Sequence, residues 1–396
     1  MSAARKSVLI SGAGVAGPAL AYWLLRAGYA PVVVERAPAF RTGGYIIDFW
    51  GIGYDVAERM GLIPALRQIG YINDRAVFVR ADGRVRSSFG GDTLRRALDD
   101  RFLSIQRGEL AGLIYETVRH DAQFIFGDEI ASLCQDKRAV DVTLNSGARR
   151  TFDLVVGADG LHSAVRQKMA PSRGEPERFL GYHAAVFIAK GYSARDESTY
   201  LSYAVPGRQV SRFALRDDHT GFLFVFATKE REPPRELAAQ KQVLKEIFSV
   251  RPWVEWPEIE RHLDAAQELY FDAVSQIELP KWSAGRIALV GDAAYCPSLL
   301  AGEGSAFAIA GAYILAGELR RAEGNHPRAF EEYERRFRPF ILRKQKSARS
   351  FASSFTPATE FGLVVRDMVL HLAHVPVVAR MLVRSMIADR YKLPEY

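Results

Sequence analysis

Cysteine is scarce in this sequence: only Cys134 and Cys296 occur among 396 residues, and they lie far apart. Two isolated cysteines exclude a disulfide-stabilised scaffold and a zinc site built on cysteine pairs, and they fit a reducing compartment. The chain also lacks an uncharged apolar run of about 18 residues, which a membrane-spanning helix needs. Its first apolar run, residues 8–10, is too short for the core of a signal peptide. We therefore expect a cytoplasmic location without integral membrane contact.

Blocks of basic residues and hydrolase motifs are also missing. The net charge is +7, from 53 lysines and arginines against 46 acidic residues, but the cations are interspersed with acids. That distribution gives no reason to expect nucleic acid as a partner. Ser163 follows a histidine, yet no G-x-S-x-G elbow surrounds it, which argues against a hydrolase. No metal site is predicted.

The composition that is present belongs to an ordinary globular protein, with 48% hydrophobic and 25% charged residues. At about 150 residues per domain, the length predicts two to three domains.

A glycine-rich turn follows a predicted strand over residues 7–11 and precedes a predicted helix over residues 16–27. Its glycines have G-x-G-x-x-G spacing: the first permits a tight turn, the second lets the backbone approach a pyrophosphate, and the third lets helix and strand pack closely. The helix N-terminus offers N–H groups to phosphates. Glu35 closes the next strand, where a carboxylate can accept hydrogen bonds from a ribose. This context predicts a dinucleotide site formed by Gly12, Ala13, Gly14, Val15, Ala16, Gly17 and Glu35.

Two further segments repeat the pattern of a strand followed by a turn that carries an aspartate. DLVVGADGLHSAVR ends a strand at Gly157 and then presents Asp159. GRIALVGDAAYCPSLLAGEGSAF presents Asp292 before a helix that begins near Gly304. A carboxylate at the carboxyl end of a strand can bind polyol hydroxyls, and a helix N-terminus can face an electron-rich ring edge. An NAD dehydrogenase needs only the first fingerprint, so these segments indicate a different dinucleotide.

The strand pattern changes near residue 180. AAVFIAK, TYLSYAV, VSRFALR and GFLFVFA predict an antiparallel meander, and α/β texture returns at GRIALVGDAA. The predicted fold class is α/β, with a Rossmann-like dinucleotide-binding domain, an inserted antiparallel-sheet domain for substrate and a C-terminal helix. The predicted boundaries are 1–75, 100–178 and 275–345 for the first domain, 76–99 and 179–274 for the second, and 346–396 for the C-terminal helical segment.

The three motifs, in their order and spacing, give the chain a clear family likeness. It resembles the FAD-dependent aromatic hydroxylases, which are single-component flavoprotein monooxygenases with the fold of para-hydroxybenzoate hydroxylase. It looks most like the tetracycline-inactivating and polyketide-modifying enzymes of that family, over most of residues 5–345. The resemblance implies FAD as cofactor, NADPH or NADH as co-substrate, and O2. It also implies oxygen transfer through a flavin C4a-hydroperoxide, so the flavin carries the chemistry and we assign no catalytic side chain.

Further cofactor-binding residues follow from the resemblance, each carried over to the matching position of this sequence. Arg36 accompanies Glu35 at the adenosine, and Arg107 in SIQRGELAGLI reaches the FAD. Asp159 is linked to both FAD and NADPH, and Asp292 to the ribityl chain. The residues implied along the isoalloxazine or near the nicotinamide and flavin are, in chain order, Arg41, Asp48, Pro297, Gly302, Gly304 and Ser305.

Two positions depart from the family pattern. Tyr295 stands where a histidine usually follows GDAA, and Glu303 stands where a glutamine is usual. A carboxylate near the flavin pyrimidine disfavours the reduced anion by like-charge repulsion unless it is neutral or turned away. The departures therefore concern the redox potential and leave the identity of the cofactor unaffected.

The expected function is an FAD-dependent, NADPH-consuming monooxygenase that hydroxylates a hydrophobic phenolic or polycyclic small molecule. Two alternatives stay open: a flavin-dependent reductase or cyclase on the same fold, and a non-catalytic flavin-binding redox sensor. Phe213, Phe222 and Phe224 of the meander are candidate substrate-binding residues, although the same rings are equally compatible with a domain core. We expect a monomer or a weak homodimer.

Overall fold

The computed structural model describes residues 5–41, 43–71, 75–91, 95–96, 98–169, 176–372 and 391–396. Its first sheet has six strands, which are in spatial order β17 (Ser283–Ala284), β18 (Ile287–Leu289), β11 (Leu154–Gly157), β1 (Ser7–Ser11), β2 (Ala30–Glu35) and β7 (Gln123–Phe126). Neighbouring strands are parallel except β17 and β18. The registers pair Ser11 with Gly157 and Gly157 with Leu289, so three strands end side by side. In open parallel sheets ligands bind at this edge.

The central strands of this sheet are almost wholly apolar, as parallel strands covered on both faces should be. Every residue from Val8 to Ser11 and every residue of β11 is buried. The strong burial explains why such short strands are stable, and it fixes the position of the turns that follow them.

The second sheet has seven strands. They are in spatial order β16 (Tyr270–Ile277), β12 (Glu177–Lys190), β15 (His219–Ala227), β14 (Arg208–Leu215), β13 (Thr199–Val205), β4 (Arg75–Val79) and β5 (Val85–Gly90). All neighbours are antiparallel except β13 and β4. Asp217 and Asp218, both with positive φ, form the tight turn between β14 and β15. Two chain segments thus build one sheet, and we propose the domain division given above on that basis.

Two smaller sheets complete the strands. β8 (Ile130–Gln135), β9 (Val140–Leu144) and β10 (Arg149–Phe152) form one, while β3 (Ile46–Trp50) pairs with β6 (Phe102–Gln106) in the other.

The helices connect and cover the sheets. In chain order they are α1 (Ala16–Arg26), α2 (Gly51–Arg59), α3 (Ile63–Ile69), α4 (Arg107–Glu116), α5 (Ala164–Met169), α6 (Leu237–Phe248), α7 (Trp256–Ala265), α8 (Asp292–Tyr295), α9 (Gly304–Arg321), α10 (His326–Phe355) and α11 (Glu360–Leu372). A single turn of 3-10 helix, Leu299–Ala301, lies between α8 and α9. The predicted α/β class, with a parallel dinucleotide-binding sheet, an inserted antiparallel sheet and a C-terminal helix, is confirmed.

The two sheets have separate hydrophobic cores. The larger core surrounds the parallel sheet and includes α1 and α9, which pack against each other. The second lies between one face of the seven-stranded sheet and helices α6 and α7. Its largest buried rings include Phe187, Phe222 and Phe224, and Phe187 stacks with both of the others. Side chains alternate across a strand, so the other face of the same sheet points away from α6 and α7. Residues of that face, Val225 and Val274 among them, cluster with Leu300.

The C-terminal part of the chain is partly helical. Helix α10 continues past residue 346, and α11 follows it. Residues 373–390 of the predicted helical segment lie outside the described residues. Residues 391–396 return to α9, where the Tyr396 ring lies beside Gly317 and its hydroxyl donates to Glu318 (2.6 Å). No helix among the described residues is long and apolar enough to span a membrane.

Truncation of a core ring tests the assignment of sheet faces. Phe222→Ala is expected to lower the free energy of unfolding by about 3–5 kcal/mol, because it removes a fully buried ring and leaves a cavity. Urea titration measures this change. Val85→Ala on β5, where 64% of the residue surface is exposed, is the control and should change stability by less than about 0.5 kcal/mol. A small effect for Phe222→Ala would place that ring outside the core.

Candidate active site at the ends of the parallel strands

The turn after β1 is too tight for side chains at its first and last glycines. Gly12 has φ 104°, and a Cβ there would lie 2.6 Å from the Ala158 carbonyl oxygen. A Cβ on Gly17 would lie 1.9 Å from the Gly12 carbonyl oxygen, which no side chain tolerates. Helix α1 begins directly after this turn, and Val15 at its N-cap has no polar group to occupy the N–H groups. The turn therefore presents backbone donors to an anion.

Glu35 holds this turn against the neighbouring strand. One carboxylate oxygen accepts from the Ala13 N–H (2.8 Å) and the other from the Ala37 N–H (2.9 Å). Each oxygen keeps acceptor capacity for a ribose hydroxyl. Arg36 follows on the surface and is exposed.

The turn after β18 also depends on close approach. Gly291 has φ 66°, and a Cβ there would lie 3.2 Å from the Ala16 Cβ and 3.5 Å from the Ala308 Cβ. The turn is thus wedged between the first turns of α1 and α9. Asp292 comes next, and one of its carboxylate oxygens lies 3.4 Å from the position that a Cβ on Gly304 would take. Glycine at 304 lets this carboxylate sit at the N-terminus of α9.

Arg107 connects the two turns. Its Nη2 lies 3.8 Å from the position of a Cβ on Gly14, so the guanidinium lies over the glycine turn. Burial raises the pKa of Asp292, and the charge of Arg107 opposes that rise, so the guanidinium is near enough to act electrostatically on the carboxylate. Arg107 on α4 therefore lies at the anion-binding turn and acts electrostatically on the carboxylate that the sequence motifs predict.

The turn after β11 is organised by its own aspartate. Asp159 accepts from the Ser163 hydroxyl (2.5 Å) and from the Val165 N–H (3.1 Å), so it caps α5. Arg166, buried on α5, donates to the carbonyls of Leu161 (2.6 Å) and Ala293 (3.0 Å). The second donation joins this turn to α8. Arg166 is the last residue of the motif DLVVGADGLHSAVR. The sequence did not indicate that it links this motif to the one that contains Asp292.

Aromatic side chains of the seven-stranded sheet lie near the segment that contains Tyr45 and Asp48. Tyr45 and Tyr270 have ring centroids 5.9 Å apart. Burial raises the pKa of Tyr45 to about 12 and that of Tyr270 well above its ordinary value, although 40% of the Tyr270 surface is accessible. These groups are accessible but closely surrounded by protein, and we take the space beside them as the candidate substrate cleft. Asp48 behaves in the same way: it is exposed, accepts from the Ser104 hydroxyl (2.6 Å), and desolvation raises its pKa.

The seven-stranded sheet, to which Tyr270 belongs through β16, contributes further rings. Phe213 stacks on Tyr200 with ring planes 3° apart and centroids at 5.7 Å. Burial raises the pKa of Tyr200 to about 12, with the charge of Asp48 adding to the rise. Phe213 pairs with Gly221, and Arg212 pairs with Phe222, so Phe213 and Phe222 point to opposite faces.

Phe222 and Phe224 accordingly lie in the core beneath α6 and α7, which is the alternative that the sequence left open. We do not carry them into the proposed substrate site. We keep Phe213 as a candidate substrate-binding residue, because its ring stacks on Tyr200, whose pKa the nearby charge of Asp48 raises.

The other predicted residues lie along the segment that follows β18. The Pro297 carbonyl accepts from Gln276 (2.8 Å), Gly302 has φ 68°, and Ser305 is buried in the first turn of α9. Arg41 is exposed at the start of the segment that leads to β3.

The two departures from the family pattern have structural explanations. Tyr295 is buried against Trp282 and Phe337, and its hydroxyl lies 3.1 Å from that of Tyr333, so it packs in the core. A Cβ on Gly311 would meet the Tyr295 hydroxyl at 1.8 Å, so this glycine accommodates the larger ring. Glu303, the N-cap residue of α9, pairs with Lys344 of α10 at 2.5 Å.

This constellation fits FAD. The glycine turn and α1 suit a pyrophosphate, Glu35 suits a ribose, and the Asp292 carboxylate suits a polyol. The spaces that Gly14 and Gly304 leave are cradles that a Cβ would fill.

Comparisons with known proteins agree with this geometry. Residues 5–344 match the family described as FAD binding domain. An uncharacterised protein of Mycobacterium tuberculosis is 37% identical over 344 residues, which cover 86% of this chain and 92% of that protein. A flavin-dependent monooxygenase of Legionella longbeachae is 34% identical over 365 residues, which cover 91% of this chain and 92% of that enzyme. The chain belongs to this family and is an FAD-dependent monooxygenase.

A solved structure supports the same placement for the whole monooxygenase. The crystal structure of tetracycline destructase Tet(55) is 32% identical, matches 100% of both chains and superposes with a TM-score of 0.84. The family likeness predicted from the three motifs is therefore confirmed.

Substitution of Asp292 separates cofactor binding from helix capping. Asp292→Asn is expected to weaken FAD binding by about 1.5–3 kcal/mol, the range for hydrogen bonds to a charged group. The apoprotein should not lose stability: because burial raises the pKa of this carboxyl, its charge opposes folding above that pKa. Flavin titration of the apoprotein and urea unfolding measure the two effects.

A purely capping role for Asp292 predicts the reverse, a loss of about 1 kcal/mol in stability with unchanged FAD affinity. Asp159→Asn is the matched control, because Asp159 caps α5 and its replacement should lower the free energy of unfolding.

A histidine–aspartate pair between the sheets should make stability depend on pH. His162 Nε2 lies 3.1 Å from Asp272 Oδ2 on β16, and this hydrogen bond raises the pKa of His162 while desolvation opposes the rise. Glu177 and Arg166 are the other charges that act on it. A raised histidine pKa stabilises the fold below about 6.5, and the contribution is lost as the pH rises through the folded-state pKa.

His162→Gln should therefore lower the free energy of unfolding more at about pH 6 than at about pH 8.5. The difference should stay below about 1 kcal/mol, because His162 is 61% exposed. The Asp272→Asn background should abolish it, and an equal loss at both pH values would refute the ion pair.

Proposed function

We propose that this monooxygenase uses NADPH, or NADH, and O2 to hydroxylate a flat, hydrophobic phenolic or polycyclic molecule. The observation that carries the proposal is the convergence of the glycine turn, Arg107 and Asp292 at one edge of the parallel sheet, directly beneath a cleft walled by aromatic rings.

The cofactor residues are proposed in the order that the geometry suggests. The turn from Gly12 to Gly17 and Arg107 would hold the pyrophosphate, and Glu35 with Arg36 the adenosine half. Asp292 would hold the ribityl chain. The flavin ring would lie along Pro297, Gly302, Gly304 and Ser305, with Asp159 keeping the adjoining loop in place.

FAD, when bound, supplies the two-electron chemistry and the activation of O2. The chain's own residues bind, orient and exclude water. Burial beside the cleft raises the pKa values of Tyr45, Tyr200 and Tyr270, so their hydroxyls stay protonated and serve as donors. We assign no nucleophile and no acid–base pair, because the geometry around the cleft requires none.

The substrate class follows from the side chains beside the cleft. Tyr270, Tyr200 and Phe213 of the seven-stranded sheet, together with Tyr45 opposite them, suit a flat ring system. Asp48 and the tyrosine hydroxyls suit its polar edge. Tet(55) is named as a tetracycline destructase, and this chain resembles it along its whole length. An antibiotic or other polyketide-like molecule is therefore our proposed substrate.

The nicotinamide donor would bind transiently. The sequence holds one G-x-G-x-x-G, which FAD occupies, so the donor would dock over the FAD domain near Arg41 and Asp48. A cytoplasmic location, where NADPH is made, accords with this use, and we propose a monomer or weak homodimer.

The test begins with the purified protein. It should release FAD and not FMN on denaturation, and a panel of phenolic and polycyclic compounds should include members that accelerate NADPH oxidation. With ¹⁸O₂, one labelled oxygen atom should enter the product. Accelerated NADPH oxidation with no label in the product would indicate a reductase, and flavin without stimulated turnover would indicate a binding protein.

A matched pair of tyrosine variants tests the placement of the cleft. Tyr200→Phe should change which compounds accelerate NADPH oxidation while the FAD content stays full. Tyr203→Phe is the control, because Tyr203 lies on the other face of the same strand, where its hydroxyl donates to the Arg251 carbonyl. Equal effects of both variants on substrate choice would place the substrate elsewhere.

A further inference from the structure

Glu303 introduces a negative charge at the N-terminus of α9. It lies between Gly302 and Gly304, in the segment along which we propose that the flavin ring lies. Asp292 approaches the same helix terminus from α8. Two carboxylates thus flank one end of α9, and reduction adds negative charge to a flavin ring. Negative charges close to the ring would make its reduction harder.

A cation from another helix acts on each of these carboxylates. Arg107 of α4 opposes the rise in the pKa of Asp292, and Lys344 of α10 pairs with Glu303. The Lys344–Glu303 pair is largely buried, with 11% and 13% of the side-chain surfaces exposed. Water therefore screens these charges weakly, and their effect on neighbouring groups extends further than that of a surface pair.

Lys344 is held in place by aromatic rings. Its Nζ lies 6.0 Å from the ring centroid of Phe307 on α9 and 5.7 Å from that of Phe340 on α10. A cation over ring faces is stabilised by their negative charge distribution. The rings and Glu303 therefore fix the position of the Lys344 ammonium group. Lys344 belongs to α10, which carries none of the three sequence motifs.

We infer that Lys344 offsets the effect of the Glu303 carboxylate on the reduction potential of the bound flavin. Lys344 compensates the carboxylate that replaces the usual uncharged residue, so the chain keeps Glu303 without making the flavin harder to reduce. Lys344 is in this sense a positioning residue that acts through Glu303. The inference rests on the proposed placement of the flavin along residues 302–305.

Single substitutions should shift the midpoint potential in opposite directions. Lys344→Met removes the cation of this pair and should lower the equilibrium constant for reduction at least tenfold, which is about 30 mV for a two-electron couple. Glu303→Gln leaves the cation and should raise the constant by a similar factor. The double variant removes both charges and should return close to the parent value. Equilibration of the flavin with a reference dye at about pH 8.5 measures these potentials, because an unpaired buried carboxyl is more fully ionised there.

Exchanging the two charges gives a variant that should still fold if the single substitutions do not. Removing one partner of a buried pair is strongly destabilising, whereas the double variant Glu303→Lys, Lys344→Glu keeps an ion pair. It brings the cation to the flavin side and should raise the potential. Lys344→Arg, which keeps the charge, should leave it within threefold of the parent constant.

The outcomes distinguish this inference from the proposed function. Variants that bind FAD with unchanged potentials and lose only stability would overturn the inference and leave the monooxygenase assignment intact. If the parent protein binds FAD and the flavin potential is the same in the charge-exchange variant, the flavin also lies away from residues 302–305. A parent protein that binds no FAD would overturn both.

Discussion

Close approach of backbone segments is the constraint on which this molecule depends. The carbonyl of Gly12 occupies the space where a side chain on residue 17 would be, and the turn at Gly291 is wedged between Ala16 and Ala308. These contacts bring the ends of β1 and β18 and the first turns of α1 and α9 together. Any Cβ at these points would push the helices apart, and the N–H groups and the Asp292 carboxylate would no longer converge.

The seven-stranded sheet supplies the aromatic side chains of the candidate substrate site. Its inner face carries Tyr200 and Phe213 towards β3, and its edge strand β16 carries Tyr270 towards Tyr45. Its outer face is committed to packing under α6 and α7. One face therefore supplies stability and the other supplies the cleft, so substitutions can alter the cleft without removing the core that supports the sheet.

Local motifs made the cofactor half of the site predictable from sequence. The glycine turn, Glu35 and Asp292 could be placed because the chemistry depends on residues that are neighbours along the chain, between a strand and a helix. The family likeness then extended the prediction to Arg107. Strand faces could not be fixed in this way, because alternation shows which side chains share a face but not what that face meets. Phe222 and Phe224 illustrate this limit. Lys344 was beyond prediction for a different reason: its partner lies 41 residues away, and only the packing of α10 on α9 brings the two charges together.

The order in which the chain is made has a consequence for this site. Gly17 belongs to the first strand–turn–helix unit, whereas Gly291, Asp292 and Lys344 follow roughly 270 to 330 residues later, a delay of at least about 14 s at the upper rate of translation, near 20 residues per second. Until then the glycine turn lacks helix α9 and the Asp292 carboxylate, which lie beside the start of α1 in the complete protein. The FAD site that we propose is therefore complete only after β18, α8 and the start of α9 have emerged from the ribosome. Retention of the cofactor would then report that the first and last strands of the parallel sheet have met.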